Sequence, residues 1–253
     1  MSACTICGEH LRFEAPDDYW SCRMQLTAPD CPQRVCIPRH RALAEALFSL
    51  WPRESLPGLA IHESSPGPNG ISLWLRNACP GYVGSGYFPD RPFGQTVGHL
   101  RNEDLEHQTF ADGTFDLVLH LDVMEHLFDP FRALQEIERT LNPGGRCLFT
   151  TPTYPERLRS EQVAFREGGE LRIVGKPEYH GNPQNAGGSL VTWRYGYDLP
   201  QRICAVTGFD VEVRRWSAPS RAILGPMTEV YILTRPLPAD AAGGRPEHTG
   251  QPT

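Results

Sequence analysis

The chain has 253 residues, 40% hydrophobic and 21% charged, with a formal net charge of −6, which is length enough for one well-buried α/β domain and a small appendage. The acidic balance argues against a general polyanion binder, and no run of 18 apolar residues offers a membrane span. The polar start does not match a secretory signal, so the chain reads as cytoplasmic, with its eight cysteines as thiols or metal ligands and not a disulfide framework.

Residues 1–41 form a first, cysteine-rich unit. Cys4-Thr5-Ile6-Cys7 is one closely spaced pair, and Cys31 and Cys36 form a second with a wider gap. Four thiolates in two pairs can close a tetrahedral zinc site, and the metal would supply folding energy to a segment too short to bury a core. Cys22 lies between the pairs as a substitute ligand, and the competing reading is free cysteines in a small cap. Arg34, Arg39, His40 and Arg41 make a basic cluster. Without interleaved aromatics it reads as solvated charge opening the next helix, and only secondarily as a phosphate-facing surface. Residues 42–51 predict that helix, with Leu43, Leu47 and Leu50 on one face, and residues 52–57 a proline-bounded linker.

Residues 59–70 predict a strand running into a loop of small residues that includes Glu63, Ser65, Gly67 and Asn69; taken alone, this is a proline-rich turn. A helix over 71–77 and a strand over 81–85 follow. Phe115 to Leu121 is a mostly apolar run of strand length, broken by Asp116 and His120, as in a strand covered on both faces. Asp129 can cap a helix whose first turn holds Pro130, and Phe131, Leu134, Ile137 and Leu141 recur at helical spacing. Pro143-Gly144-Gly145 stops that helix before a strand over 146–151. Strand, helix and strand at this length make a right-handed crossover in a parallel sheet, which places ligands at the carboxyl strand ends, here Leu121-Asp122 and Thr150-Thr151.

This central block resembles class I S-adenosylmethionine-dependent methyltransferases of the type 11 kind. The resemblance is carried by a strand opening on Phe115-Asp116, the acid-histidine turn Glu125-His126, and Arg139 to Leu141 leading into Pro143-Gly144-Gly145. It implies a Rossmann-like, doubly wound α/β fold with a mostly parallel seven-stranded sheet, here with a small cysteine-rich N-terminal appendage. The corresponding boundaries are 1–41 for the appendage, 42–235 for the methyltransferase domain and 236–253 for a loose tail. Some methyltransferases of this kind have a similar cysteine-rich start followed by Arg-His-Arg, as at Arg39-His40-Arg41.

The resemblance also implies cofactor contacts. Glu63 stands where the family has the acid of its glycine loop and Gly67 where it has one glycine, while Ser65 and Asn69 replace two others. Ser85 stands where the family commonly has an acid for the ribose hydroxyls, with Asp90 five residues on. Asp104, with Glu103 second, corresponds to the acid beside the adenine edge. The strand end from His120 to Asp122 completes the set.

Residues 154–197 are rich in Gly, Pro and Asn yet contain Tyr179, His180, Asn182, Trp193 and Tyr195, which suits a lid-like insertion over a substrate or else a structural insertion. A helix over 198–206 and strands over 208–213 and 227–234 close the domain. Methyl transfer from a sulfonium needs positioning and exclusion of water, and a hydroxyl nucleophile benefits from a base near neutrality. His126 and His180 are the candidate bases. The leading expectation is methyl transfer to a small-molecule or glycan-like acceptor, with S-adenosylmethionine as cofactor and zinc in the cysteine-rich unit. The alternatives are a non-catalytic protein of the same fold with a degenerate loop, and a zinc-containing nucleic-acid module using the cluster at Arg39.

Overall fold

The computed structural model of the chain describes residues 1–182 and 185–238. Its N-terminal part holds a short antiparallel pair, β1 (Ser2–Ala3) and β2 (His10–Leu11), then α1 (Tyr19–Gln25) and α2 (Pro38–Leu50). There follow β3 (Ile61–Ser64), α3 (Gly70–Ala78), β4 (Tyr82–Gly86), β5 (Thr96–Val97), β6 (Leu100–Asn102), β7 (Phe115–Leu121), α4 (Pro130–Thr140) and β8 (Leu141–Thr150). Six short strands come next: β9 (Glu161–Gln162), β10 (Ala164–Glu167), β11 (Glu170–Ile173), β12 (Tyr179–Asn182), β13 (Asn185–Leu190) and β14 (Trp193–Arg194). Helix α5 (Leu199–Val206), β15 (Asp210–Arg214) and β16 (Val230–Thr234) complete the described part, and the expected loose tail lies outside the described residues from 239 onward.

The central sheet has eight strands in the order β15-β16-β8-β7-β3-β4-β6-β5. Pairing is parallel from β8 through β7, β3 and β4 to β6, and antiparallel at β16 with β8, β15 with β16 and β5 with β6. The strand beyond the expected seven is β5, a two-residue antiparallel edge on β6. Strand β3 lies between β4 and β7, so the chain turns outward on both sides of it. That switch point puts the carboxyl ends of β3, β4 and β7 side by side, the place where sheets of this kind form the crevice that binds ligands.

Alternation along β7 explains its apolar run. Leu117 and Leu119 join the core beneath α2 and α3 and Val118 the core beneath α4 and α5; Phe115 joins the latter too, because the register shifts between Phe115 and Leu117. Asp116 is tolerated in this strand because its carboxylate accepts from Ala60 N at 2.9 Å and from Asn142 Nδ2 at 2.8 Å. Helix α4 starts where its capping chemistry does: Asp129 Oδ1 accepts from Arg132 N at 3.0 Å, and Pro130 fills the first turn.

Helix α2 begins a turn earlier than the apolar spacing suggests. Pro38 occupies its first turn and draws Arg39, His40 and Arg41 into the helix. Arg41 is fully buried; it donates to the carbonyls of Cys36, Leu26 and Ala222 and lies 4.6 Å from the Phe13 ring. The cluster read as solvated charge is therefore largely interior, because the N-terminal segment folds back over α2. Cys4, Ile6, Leu11 and Cys36 share one continuous core with α2, α3, Leu117 and Ile232.

The stretch expected to be irregular after β8 is built of three antiparallel pairs, β10 with β11, β12 with β13, and β14 with β9. Their ladders are too short and glycine-rich for alternation to announce them. Backbone and hydroxyl contacts tie this insertion to the turn after β7: Thr192 N donates to Glu125 O at 2.7 Å and the Tyr195 hydroxyl to Met124 O at 2.8 Å.

Candidate active site

Two residues at neighbouring strand ends adopt left-handed backbone geometry, Ser65 after β3 with φ 54° and Asp122 after β7 with φ 51°. Ser64 pairs with His120, so these two strained positions belong to adjacent strand ends. Non-glycine residues hold such geometry only where the surroundings enforce it, and such positions gather at functional sites. Ser65 is exposed and donates its backbone N–H to Ser85 O at 2.8 Å, while Gly67 is half-buried in the same loop.

Glu63 faces α3: its carboxylate accepts from Ser72 Oγ at 2.5 Å and from the Tyr82 hydroxyl at 2.8 Å. Burial pushes its pKa up to about 7, against the pull of those two donors. The Ser85 hydroxyl meets His62 Nε2 at 2.8 Å inside the sheet layer. Burial also brings the imidazoles of His62 and His120 down to about 3, so both are neutral; His120 stacks on Phe149 with ring centroids 4.7 Å apart. Glu103 is occupied by Arg101 and Thr109, whereas Asp104, half-buried, spends one oxygen on Glu106 N.

Asp122 has partners that spacing alone did not reveal. Its Oδ2 accepts from Arg23 at 2.8 Å and forms an ion pair with Arg39 at 2.7 Å, both from the N-terminal segment, and its Oδ1 accepts from Thr150 Oγ1 at 2.7 Å. Burial disfavours the carboxylate, but Arg39 and Arg23 outweigh it and hold the pKa below the usual range. Arg39 belongs to the basic cluster and Arg23 to α1, a stretch in which the sequence offers no motif, and nothing local marks either as a partner of residue 122.

Beyond Asp122, the turn and the insertion bring three more groups together. The buried Glu125 places Oε1 3.7 Å from His126 Nε2 and 3.6 Å from His180 Nδ1. Its Oε2 accepts from Thr151 Oγ1 at 3.0 Å, while Oε1 has no hydrogen-bond partner. His126 donates Nδ1–H to Leu190 O at 2.8 Å, which turns its Nε2 toward Glu125. His180, at 3.4 Å from Glu178 as well, has its pKa raised by facing Glu125 and then Glu178. Donor atoms of Glu125, His126 and His180 lie within 4.8 Å of one another, a set able to hold a proton or a cation.

A family model described as a methyltransferase domain matches residues 89–149, from just ahead of β5 to the end of β8. Over that stretch the chain is similar to a methyltransferase domain. An uncharacterized methyltransferase of Schizosaccharomyces pombe is 32% identical over 90 residues, which are 33% of this chain and 30% of that protein. The chain thus spans under a third of the length of this curated relative. An S-adenosylmethionine-dependent methyltransferase from Mesorhizobium loti has the same fold, with a TM-score of 0.50 at 18% identity over 77% of this chain and 98% of that one.

The residues around the carboxyl strand ends suit an adenosine-bearing sulfonium in one respect. Asn69 Oδ1 on the β3 loop and the Nε atoms of Arg23 and Arg39 at the β7 end are buried without protein partners, so the crevice has unused polar groups of both kinds. In the segment preceding the domain, the sulfurs of Cys4, Cys31 and Cys36 lie within 4.8 Å of one another. Hydrogen bonds from Cys31 and then Cys36 lower the pKa of Cys4, while Cys36 is raised by its contacts with Cys31 and then Cys4 and by burial. Cys7, half-buried and in contact with Cys4, is the available fourth sulfur, a donor set that suits tetrahedral zinc.

Proposed function

We propose that this chain transfers the methyl group of S-adenosylmethionine to an oxygen, nitrogen or carbon of a small-molecule or glycan-like acceptor, with His180 as the base and zinc in the cysteine-rich segment. The observation that carries the reading is the placement of His180, on the insertion, against the buried Glu125 three residues past the strand end at Asp122. Ser65, Gly67 and Asp122 would line the cofactor, Glu63 would brace its loop through Ser72 and Tyr82, and Ser85, Asp104 and His120 complete the expected set. Bound S-adenosylmethionine would supply an electrophilic methyl group.

The chain's own residues then do three things. The insertion covers the crevice and excludes water, which strengthens every charge interaction inside it. His126, donating to Leu190, holds β13 in place and keeps its Nε2 toward Glu125. His180 takes the proton of a hydroxyl or amine acceptor, and Glu125 and Glu178 stabilise the imidazolium it becomes.

Calorimetry with S-adenosylmethionine tests the first claim: folded protein that does not bind it is a non-catalytic protein of this fold. His180→Ala should lower kcat on the order of a hundredfold or more while leaving cofactor affinity intact, and unchanged turnover removes His180 from the mechanism. A base acts when neutral, so a raised pKa places the acid limb of the rate profile above the ordinary histidine value of 6.5. Activity should climb with pH through that limb, and Glu178→Gln should move the limb down by removing one supporting carboxylate.

A further inference from the structure

The N-terminal segment does more than cap the sheet. It touches both loops that flank the crevice: Gln33 O accepts from Gly70 N at 2.9 Å, the His40 ring packs directly on Gly70, and Arg23 and Arg39 reach Asp122. Gly70 has φ 60°, and a Cβ there would lie 2.2 Å from His40 Nδ1, so the first turn of α3 admits this contact only as glycine. The same segment thus seats the β3 loop and supplies the cations at the β7 end.

Charge at that end does not balance locally. Two guanidinium groups converge on one carboxylate, leaving a surplus of one positive charge, and the Nε of each arginine is buried without a partner. Side chains of Arg23, Arg39 and Asp122 are 16%, 17% and 11% exposed, so solvent screens the surplus only weakly. An acid next to surplus guanidinium complements a zwitterion, with the ammonium on the acid and the carboxylate on the arginines' spare N–H groups. The end of the proposed cofactor that is a zwitterion is its α-amino-acid moiety.

We propose that Arg23 and Arg39 bind the α-carboxylate of the cofactor's methionine moiety, so that the cysteine-rich segment completes the cofactor site. This rests on the methyltransferase reading above. The same arginines could instead serve a carboxylate on the acceptor, and the experiment separates the two sources. It compares, by calorimetry on the full chain, S-adenosylhomocysteine with 5′-methylthioadenosine, which keeps the nucleoside and sulfur but lacks the amino acid. The wild type should bind S-adenosylhomocysteine the more tightly. The Arg23→Gln, Arg39→Gln double variant should lose roughly thirtyfold or more of that affinity while binding methylthioadenosine as the wild type does, which also shows that the site is folded. The single variants Arg23→Lys and Arg39→Lys, which keep charge but not the fork, should fall between. Equal loss for both ligands, unchanged S-adenosylhomocysteine affinity, or a change confined to the KM of the acceptor overturns the proposal. A wild type that binds S-adenosylhomocysteine no better than methylthioadenosine overturns it while leaving the methyltransferase reading intact, whereas one that binds neither removes that reading as well.

Discussion

Helices α2 and α4 cover opposite faces of the same sheet and both carry arginines, with opposite fates. On α4, Arg132 pairs with Glu136 and remains 43% exposed, and Arg139 bridges Glu136 and Asp112 at the rim. On α2, Arg41 is wholly buried and bonded to the carbonyls of Cys36, Leu26 and the distant Ala222, while Arg39 reaches across to Asp122. An arginine's position on a helix thus says little about its environment until one knows what folds over that helix. Helix α4 is covered on its apolar side only. Helix α2 is covered a second time, by residues 1–37, whose small core needs a central donor for carbonyls that no strand or helix satisfies.

That contrast can be tested by removing, in turn, what holds the second layer. Loss of the metal should act most strongly: on the zinc reading, metal analysis finds about one equivalent per chain, and Cys4→Ser with Cys36→Ser abolishes it. Because structural zinc contributes on the order of 10 kcal/mol in small sites, the N-terminal segment should then lose its protection against proteolysis; a folded, metal-free wild type would refute the assignment. Arg41→Ala should come next, costing roughly 3–5 kcal/mol in denaturant unfolding because three buried carbonyls lose their donor. Arg132→Ala on the singly covered helix should cost under about 1 kcal/mol, and near-equal costs for the two would break the comparison.

Glu63→Gln should sharpen the comparison from the side of the β3 loop. Glu63 has a folded pKa of about 7 against an ordinary 4.5, so its favourable linkage is complete below 4.5 and is lost as pH rises through 7. A shift of that size corresponds to roughly 3 kcal/mol. Unfolding curves of the wild type should decline across this window and those of Glu63→Gln should run flatter; parallel curves would show that Glu63 is not the group responsible.

Much of the candidate site was legible before any coordinates. Phe115 to Leu121 and the cap at Asp129 are each specified within a few residues, and parallel pairing then puts Asp122 at a strand end; the stop expected at Pro143-Gly144-Gly145 comes earlier, because the helix ends at Thr140 and those three residues lie inside β8. The histidine candidates His126 and His180 were legible as chemistry, but their convergence on Glu125 depends on a hairpin 55 residues further along the chain than that carboxylate, whose short ladder with a shifted register leaves no period to read. The roles of Glu63 and Ser85 were illegible for a different reason: alternation along a strand says which face a side chain takes, but not that Tyr82, Ser72 or His62 waits there.

By itself the amino-acid order determined the strand-helix-strand crossover, the parallel sheet and the place of the crevice, because those follow from periodicity, caps and turns acting over a few residues. Only the tertiary structure decided which charges meet in the crevice. Arg23 and Arg39 are 99 and 83 residues from Asp122 in the chain, and a guanidinium chooses its carboxylate by proximity and burial, for which sequence distance is no guide.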